Sequence, residues 1–277
     1  VYIIMTNNDF EKFLTIKKGL QPITIHGYLG AIRRFKAVVD SQEPTIQQAE
    51  DYIFEFYRSN YSYTYKMNTA VAIEMWFGFR EMPIKFGRQK KPCTIIKNVL
   101  TEAEVTKLIF NCRNIRETAI VSLLAYSGIR CKEICNLRVK DLDLGQNIVR
   151  VVEGKGSKDR LVYMSSECTR IILKYLTEYP RKEESYLFTT LKENNKYGGQ
   201  DLRKLLKKLG LRTKIEKRIY PYLLRHTLAT NMLNRGANLL TIKNQLGHIF
   251  IESTMVYIHS VGYGVKNDYD RFAPSYL

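Results

Sequence analysis

The chain has 277 residues, 45% hydrophobic and 26% charged. That balance excludes a disordered or collagen-like chain, and the length suits two domains better than one core. The formal net charge is +17, from 44 Lys and Arg against 27 Asp and Glu. This excess points to a polyanionic partner, with nucleic acid the first candidate and a merely basic, soluble surface the alternative.

No apolar run approaches the roughly 20 residues that span a bilayer. The opening "VYIIMTNNDF" has a short apolar run without a basic flank and does not read as a signal peptide. The five cysteines, Cys93, Cys112, Cys131, Cys135 and Cys168, are odd in number. They predict free thiols in a reducing, cytoplasmic setting. Cys131 and Cys135 have helical i,i+4 spacing, but no second Cys or His pair is spaced to complete a metal site.

The first ~90 residues read as helical. "NNDFEKFLTIKKG" begins a helix at Asn8 or Asp9 that Gly19 ends. In "TIHGYLGAIRRFKAVVD", Ile25, Tyr28, Leu29, Ile32, Phe35 and Val39 share a stripe, while Arg33, Arg34 and Lys36 fall largely elsewhere. A third helix follows Thr45, with Gln48 completing a capping-box pattern. "YTYKMNTAVAIEMWFGFRE" is a fourth. "MPIKFGRQKKPCTIIKN" then breaks the period with two prolines, a glycine and basic residues, and is expected to run over the surface as a linker. The expected division is a helical domain over 1–86, a linker over 87–97 and a second domain over 98–277.

In the second domain, Thr101 and Glu104 form another capping box before "EVTKLIFNC". The apolar "RETAIVSLLAYSG" is a helix ending at Gly128, and "RCKEICNLRVKDL" is a short one. At Asn147 the period changes. "NIVRVVEGKGSKDRLVYM" reads as strand, polar turn with Gly154 and Gly156, and strand. The remainder returns to helices. Residues 201–220 are densely basic. Arg203, Lys204 and Lys207 there form a stripe that suits a phosphate backbone, although such stripes are also ordinary solvated faces.

Five polar residues sit oddly in this pattern. Arg130 follows the apolar helix, Lys155 lies between two glycines at the hairpin tip, and Arg225 interrupts an apolar helix. His248 follows Gly247 at a helix end, and Tyr257 comes nine residues later. Each has a mundane reading: a C-terminal cation cap, a solvated turn, a snorkelling arginine, a capping histidine, a core tyrosine.

Together they carry a resemblance. "YSGIRCKEICNLRVKDLDL", "GKGSKDRLVYM", "LRHTLATNMLNRGANLLTIKNQLGH" and "STMVYIH" are similar, in order and spacing, to the catalytic motifs of the tyrosine recombinase (phage integrase) family, most closely its Xer-like members. "TIHGYLGAIRRFKAVV" and "NVLTEAEVTKLI" look like the openings of that family's core-binding and catalytic domains. The resemblance covers nearly the whole chain. It implies a mainly α fold with a small β-hairpin or sheet, in two domains closing on DNA as a C-shaped clamp.

The resemblance assigns Tyr257 as the nucleophile that forms a 3′-phosphotyrosyl link. A bond-conserving covalent intermediate needs no nucleotide cofactor. Arg130 and Arg225 would clamp the phosphate oxygens. Lys155 would protonate the leaving 5′-oxygen, with Lys158 the fallback, and His248 would assist the tyrosine proton. Glu133, one helical turn after Arg130, would orient Arg130 or its neighbours rather than react. His226 reads as structural, because consecutive helical residues face different ways. The family usually carries a histidine or lysine three residues before its second arginine. Here Tyr222 stands there, a hydrogen-bond donor without charge. Arg33, Arg34, Lys36, Lys158, Arg203, Lys204 and Lys207 are expected DNA contacts. The acidic residues form no grouping like a two-metal nuclease site, so no metal is expected. Double-stranded DNA and a homotetramer on two recombination sites are the implied partners. The rival readings are a non-catalytic DNA-binding protein of the same fold and a type IB topoisomerase.

Overall fold

Helical periodicity governs the first unit as far as Phe79. The structure, a computed structural model, describes residues 7–90, 99–152, 159–190, 195–248 and 252–255. The chain divides into two compact units, Val1–Cys93 and Thr94–Leu277.

In the first unit, helix α1 (Asn7–Lys12) continues through a wider helical turn, Phe13–Lys17. The chain then reverses at Gly19, with φ +61°. Helices α2 (Pro22–Val38), α3 (Ile46–Arg58) and α4 (Tyr63–Phe79) follow. Pro22 opens α2 at a position where its missing N–H costs nothing. The expected stripe on α2 is inside: Ile25, Ile32 and Phe35 are buried and Tyr28, Leu29 and Val39 pack against the core. The Thr45–Gln48 capping box on α3 has both of its reciprocal bonds.

The stretch expected to run over the surface as a linker is held to the first unit over its described part. Met82, Ile84 and Phe86 are partly buried in alternation with exposed neighbours and pack on the core. Buried Glu74 on α4 accepts from the Phe86 N–H at 2.8 Å and from Arg88 Nη2 at 2.7 Å, and the Tyr57 hydroxyl donates to the Gly87 carbonyl at 3.1 Å. Two prolines and a basic run suggested a linker running over the surface. A buried carboxylate 12 residues upstream of Phe86 supplies the anchor.

The second unit begins with α5 (Glu102–Phe110), whose Thr101–Glu104 capping box is present. Helix α6 (Ile115–Ser127) is buried continuously from Ala119 to Leu124. It is apolar all round because α5, α8, α10 and a strand surround it. After α7 (Cys131–Asn136) come β1 (Leu142–Asp143), β2 (Ile148–Val151) and β3 (Arg160–Tyr163). They form an antiparallel sheet in the order β1-β2-β3, with Val149 facing Val162. The expected hairpin is β2–β3. The two-residue β1 is too short to leave a periodic signal. Helices α8 (Ser166–Glu178), α9 (Gly199–Thr213), α10 (Pro221–Asn234), α11 (Leu239–Leu246) and α12 (Glu252–Met255) complete the described unit. The fold is therefore mainly α with one small antiparallel sheet. Among the described residues no helix is long and apolar enough to cross a membrane. Cys112, Cys131, Cys135 and Cys168 are free thiols.

Glu74→Ala should release the strap at 82–90. We expect faster tryptic cutting after Lys85 and Arg88, and a loss of about 1–3 kcal/mol in urea denaturation, since charge-assisted hydrogen bonds and a satisfied buried N–H are removed together.

Candidate active site

Two helix ends and one helix, far apart in sequence, meet at one point. The first is the end of α6. Gly128 adopts φ +66°, and a Cβ there would lie 2.9 Å from side-chain atoms of both Leu228 and Leu246, so a larger residue would have to displace both leucines and hold a left-handed backbone. The turn sends Ile129 into the core and leaves Arg130 immediately before α7. The second is α10, which carries Arg225 inward at 1% exposure. That burial rules out the snorkelling reading. The third is the end of α11, where Gly247 turns at φ +65° and the His248 N–H donates to the Lys243 carbonyl at 3.0 Å.

Arginine donors join these turns. Arg225 donates through Nη1 to the Gly128 carbonyl at 2.7 Å and through Nη2 to the Leu246 carbonyl at 2.6 Å. Arg130 donates through Nη2 to the next carbonyl, Gly247, at 2.8 Å. Its Nη1 donates to Glu133 Oε1 at 2.7 Å, and its backbone N–H donates to Glu133 Oε2 at 2.7 Å. Two guanidiniums thus occupy successive carbonyls at one helix C-terminus, where the macrodipole favours cations. His248 is the following residue, and its Nδ1 lies 2.8 Å from the hydroxyl of fully buried Thr254 on α12.

One participant was not anticipated. Arg160, the first residue of β3, donates through Nη1 and Nη2 to the two oxygens of Glu133 at 2.9 and 2.8 Å. Nothing in its local sequence marks it, because its partner lies 27 residues upstream. Gln245 was also missed. It accepts from the Tyr163 N–H at 3.2 Å and donates to the Tyr163 carbonyl at 2.8 Å and the Ser127 carbonyl at 3.0 Å, fastening β3 and the end of α6 to α11.

The electrostatics follow from two guanidiniums on one carboxylate, Arg130 and Arg160 on Glu133, with Arg225 beside the imidazoles. Burial would raise the Glu133 carboxyl, but hydrogen bonds from the Arg160 side chain and the Arg130 backbone override it and hold it at about 2. Burial, then the positive charges of Arg225 and Arg130, depress His248 to about 4. Burial and Arg225 do the same to His226. Both imidazoles are neutral at pH 7, so His248 has one ring nitrogen able to accept a proton.

Tyr222 stands apart from this hydrogen-bonded cluster. It is 50% exposed on the first turn of α10, with its ring edge-on to His226 at 4.6 Å between centroids. Lys155, Lys158 and Tyr257 lie outside the described residues. Of the expected DNA contacts in the first unit, Arg33 and Arg34 are exposed, and Arg34 stacks on Tyr65. Lys36 is nearly opposite Arg34 around α2 and lies over the Trp76 ring at 4.9 Å. Arg203, Lys204 and Lys207 share the exposed face of α9, while Leu202, Leu205, Leu206 and Leu209 point inward. They line a hollow of about 680 Å³ with Lys214, Lys217, Arg218 and Tyr220.

The phage integrase family profile matches residues 98–262, the stretch that holds this cluster. The chain is 30% identical to tyrosine recombinase XerA of Pyrococcus horikoshii over 92% of its own length and 90% of that protein's. The chain belongs to the tyrosine recombinase (phage integrase) family. It is Xer-like, and as a member it is a DNA strand-cleaving and rejoining enzyme. A crystal structure of XerA recombinase superposes over 98% of this chain and 99% of that one, with 28% identity and TM-score 0.58. The Tn1549 transposon integrase, solved in complex with transposon right-end DNA, shares the fold at 17% identity and TM-score 0.74, over 98% of this chain and all of that one.

In the DNA-free family member, the His248 ring should titrate near pH 4 by NMR rather than near its ordinary value of about 6.5. Bound inorganic sulfate should move that titration upward. Because His226 and His248 resist protonation when folded and accept it when unfolded, stability should fall as pH drops from about 6.5 toward 4, which urea denaturation across that window will measure.

Proposed function

We propose that the chain is a site-specific DNA recombinase that attacks a phosphodiester with Tyr257. The tyrosine oxygen forms a bond to phosphorus and the bond from phosphorus to the 5′-oxygen breaks. This leaves a 3′-phosphotyrosyl link and a free 5′-hydroxyl. The new partner strand's 5′-hydroxyl then attacks the link and releases the tyrosine, so bond energy is conserved through strand exchange.

The observation that carries this reading is the meeting of Arg130, Arg225 and His248 at the end of α11. Charge develops on the phosphate oxygens in the transition state, and preplaced guanidiniums stabilise it there. A neutral His248 is suited to take the proton of Tyr257, whose ordinary pKa near ~10 keeps it protonated at pH 7. Thr254, three residues before Tyr257, is tied to His248, which supports delivery of the tyrosine beside the arginines. Glu133 orients Arg130. In the same reading Lys155 protonates the leaving oxygen, with Lys158 the alternative, and Tyr222 donates a hydrogen bond where relatives bring a charge.

The partner is double-stranded DNA, and the active assembly is a homotetramer on two sites. The basic face of α9 and Arg33 and Arg34 on α2 are suited to phosphate contacts. That the Tn1549 integrase was solved with DNA supports the choice of partner. The role is chromosome-dimer resolution or mobile-element integration and excision. Free thiols and the DNA substrate suit a cytoplasmic location.

The test is covalent trapping on nicked duplexes carrying candidate sites, resolved on a denaturing gel. We expect an adduct that disappears with Tyr257→Phe. Arg225→Lys should slow its formation about 100- to 1000-fold, because an ammonium cannot reproduce the planar fork. Occupied sites without an adduct would sink the catalytic reading in favour of a non-catalytic DNA-binding protein. An adduct that survives in Tyr257→Phe would reassign the nucleophile. Relaxation of supercoiled plasmid lacking any recombination site would favour a topoisomerase.

A further inference from the structure

Arg130 is aligned by two anchors, and Arg160 touches both. One anchor is Glu133, which accepts from Arg130 Nη1. Arg160 grips the same carboxylate with two parallel bonds, one to each oxygen. The other anchor is the Gly247 carbonyl, which accepts from Arg130 Nη2. The Arg160 side chain lies flat on Gly247: a Cβ there would come within 2.3 Å of Arg160 Cδ and 2.4 Å of Nε. Arg160 is itself held firmly. Its side chain is 13% exposed, and its strand is fastened to α11 through Gln245.

The arrangement also answers an electrostatic difficulty. A carboxylate is a good orienting group for an arginine, but beside a phosphate site it repels the ligand and cancels the arginine's charge. With Arg160 on the same carboxylate, the group keeps a net positive charge and Arg130 keeps its alignment. Arg160 spends one N–H of each terminal nitrogen on Glu133, in a two-pronged pair that suits a positioning role.

We infer that Arg160 is a positioning residue for phosphate capture: it steadies both anchors of Arg130 and offsets the charge of the carboxylate between them. The inference rests on the proposed reading that a DNA phosphate binds at Arg130, Arg225 and His248. It assigns a role to β3. Any shift of β3 would be felt at Arg130 through a rigid pair of hydrogen bonds.

The test is a double-mutant cycle with two independent readouts. The first is the single-turnover rate of adduct formation on nicked duplexes that trap the wild-type protein. Arg160→Gln should lower that rate about 10- to 100-fold at saturating DNA, with the half-saturating DNA concentration changed less than about threefold. Arg160→Lys, which keeps the charge but not the two-pronged contact, should recover part of the rate. Glu133→Gln should also be slow, and adding Arg160→Gln to it should cost little more, because the two act as one unit. The second readout is binding of inorganic sulfate to the DNA-free protein, followed at the His248 ring by NMR. Arg160→Gln should weaken it about tenfold, the order expected for one lost charge-assisted interaction.

Independent, multiplying effects of the two substitutions would overturn the inference and make Arg160 a direct phosphate ligand. A lowered melting temperature with unchanged rate and unchanged sulfate affinity would overturn it in favour of a purely structural role, leaving the recombinase reading intact. Failure of the wild-type protein to trap any duplex, together with weakened sulfate binding in Arg160→Gln, would sink the phosphotyrosine reading while upholding the role of Arg160 in the anion site.

Discussion

The carbonyl end of α11 is the point on which the catalytic unit turns. A helix leaves its last carbonyls without intrahelical partners, and they carry partial negative charge. Here Leu246 and Gly247 present two of them in succession, and the buried arginine and the half-buried one each take one. Arg225 also takes the carbonyl of Gly128 at the end of α6. One buried cation therefore bridges two helix termini. An arginine at 1% exposure needs such partners, because a buried charge without hydrogen bonds is prohibitively costly. The residue that would face phosphate is thus the same residue that holds the helices in register. In the proposed reading, catalytic geometry and fold stability cannot be separated at this position.

Glycine makes the approach possible. At Gly128 a side chain would collide with Leu228 and Leu246, and at Gly247 with the shaft of Arg160. Both residues also adopt the left-handed backbone that ends a helix without a steric penalty. Arg130 and Arg160 share one ionised carboxylate, and Arg225 lies beside two neutral imidazoles. The group has the character of an anion site assembled before any anion arrives. That is the condition under which electrostatic stabilisation needs no reorganisation during the reaction. The contact between Thr254 and His248 ties α12 to the same helix end.

Much of this was legible in the residues alone. The helices of both units follow from apolar spacing, and the capping boxes at Thr45 and Thr101 mark two of their starts. Gly128 and Gly247 mark two of their ends. Arg130, Arg225 and His248 stood out because each is a polar residue at a place where its neighbours predict a turn or an apolar face. Tyr222 was legible as a departure from the family's pattern, and its exposed position on α10 is a tertiary fact. The docking of residues 82–90 on Glu74 was not legible, since a proline- and lysine-containing stretch reads as a tether wherever its anchor is distant.

Local chemistry explains the division. Caps, helical stripes and hairpin turns are interactions between residues a few positions apart, so their partners can be counted along the chain. From them the sequence by itself determined the helix order, the β2–β3 hairpin and the residues carrying the family's motifs. The tertiary structure alone decided that two arginines 95 positions apart use adjacent carbonyls of one helix end. It alone decided that Arg160 rather than solvent completes Glu133, and that Gln245 binds β3 to α11. Those contacts bring together residues tens of positions apart. Their energy appears only once the apolar core has brought α6, α10, α11 and the sheet to one place, and no local pattern records where that place will be.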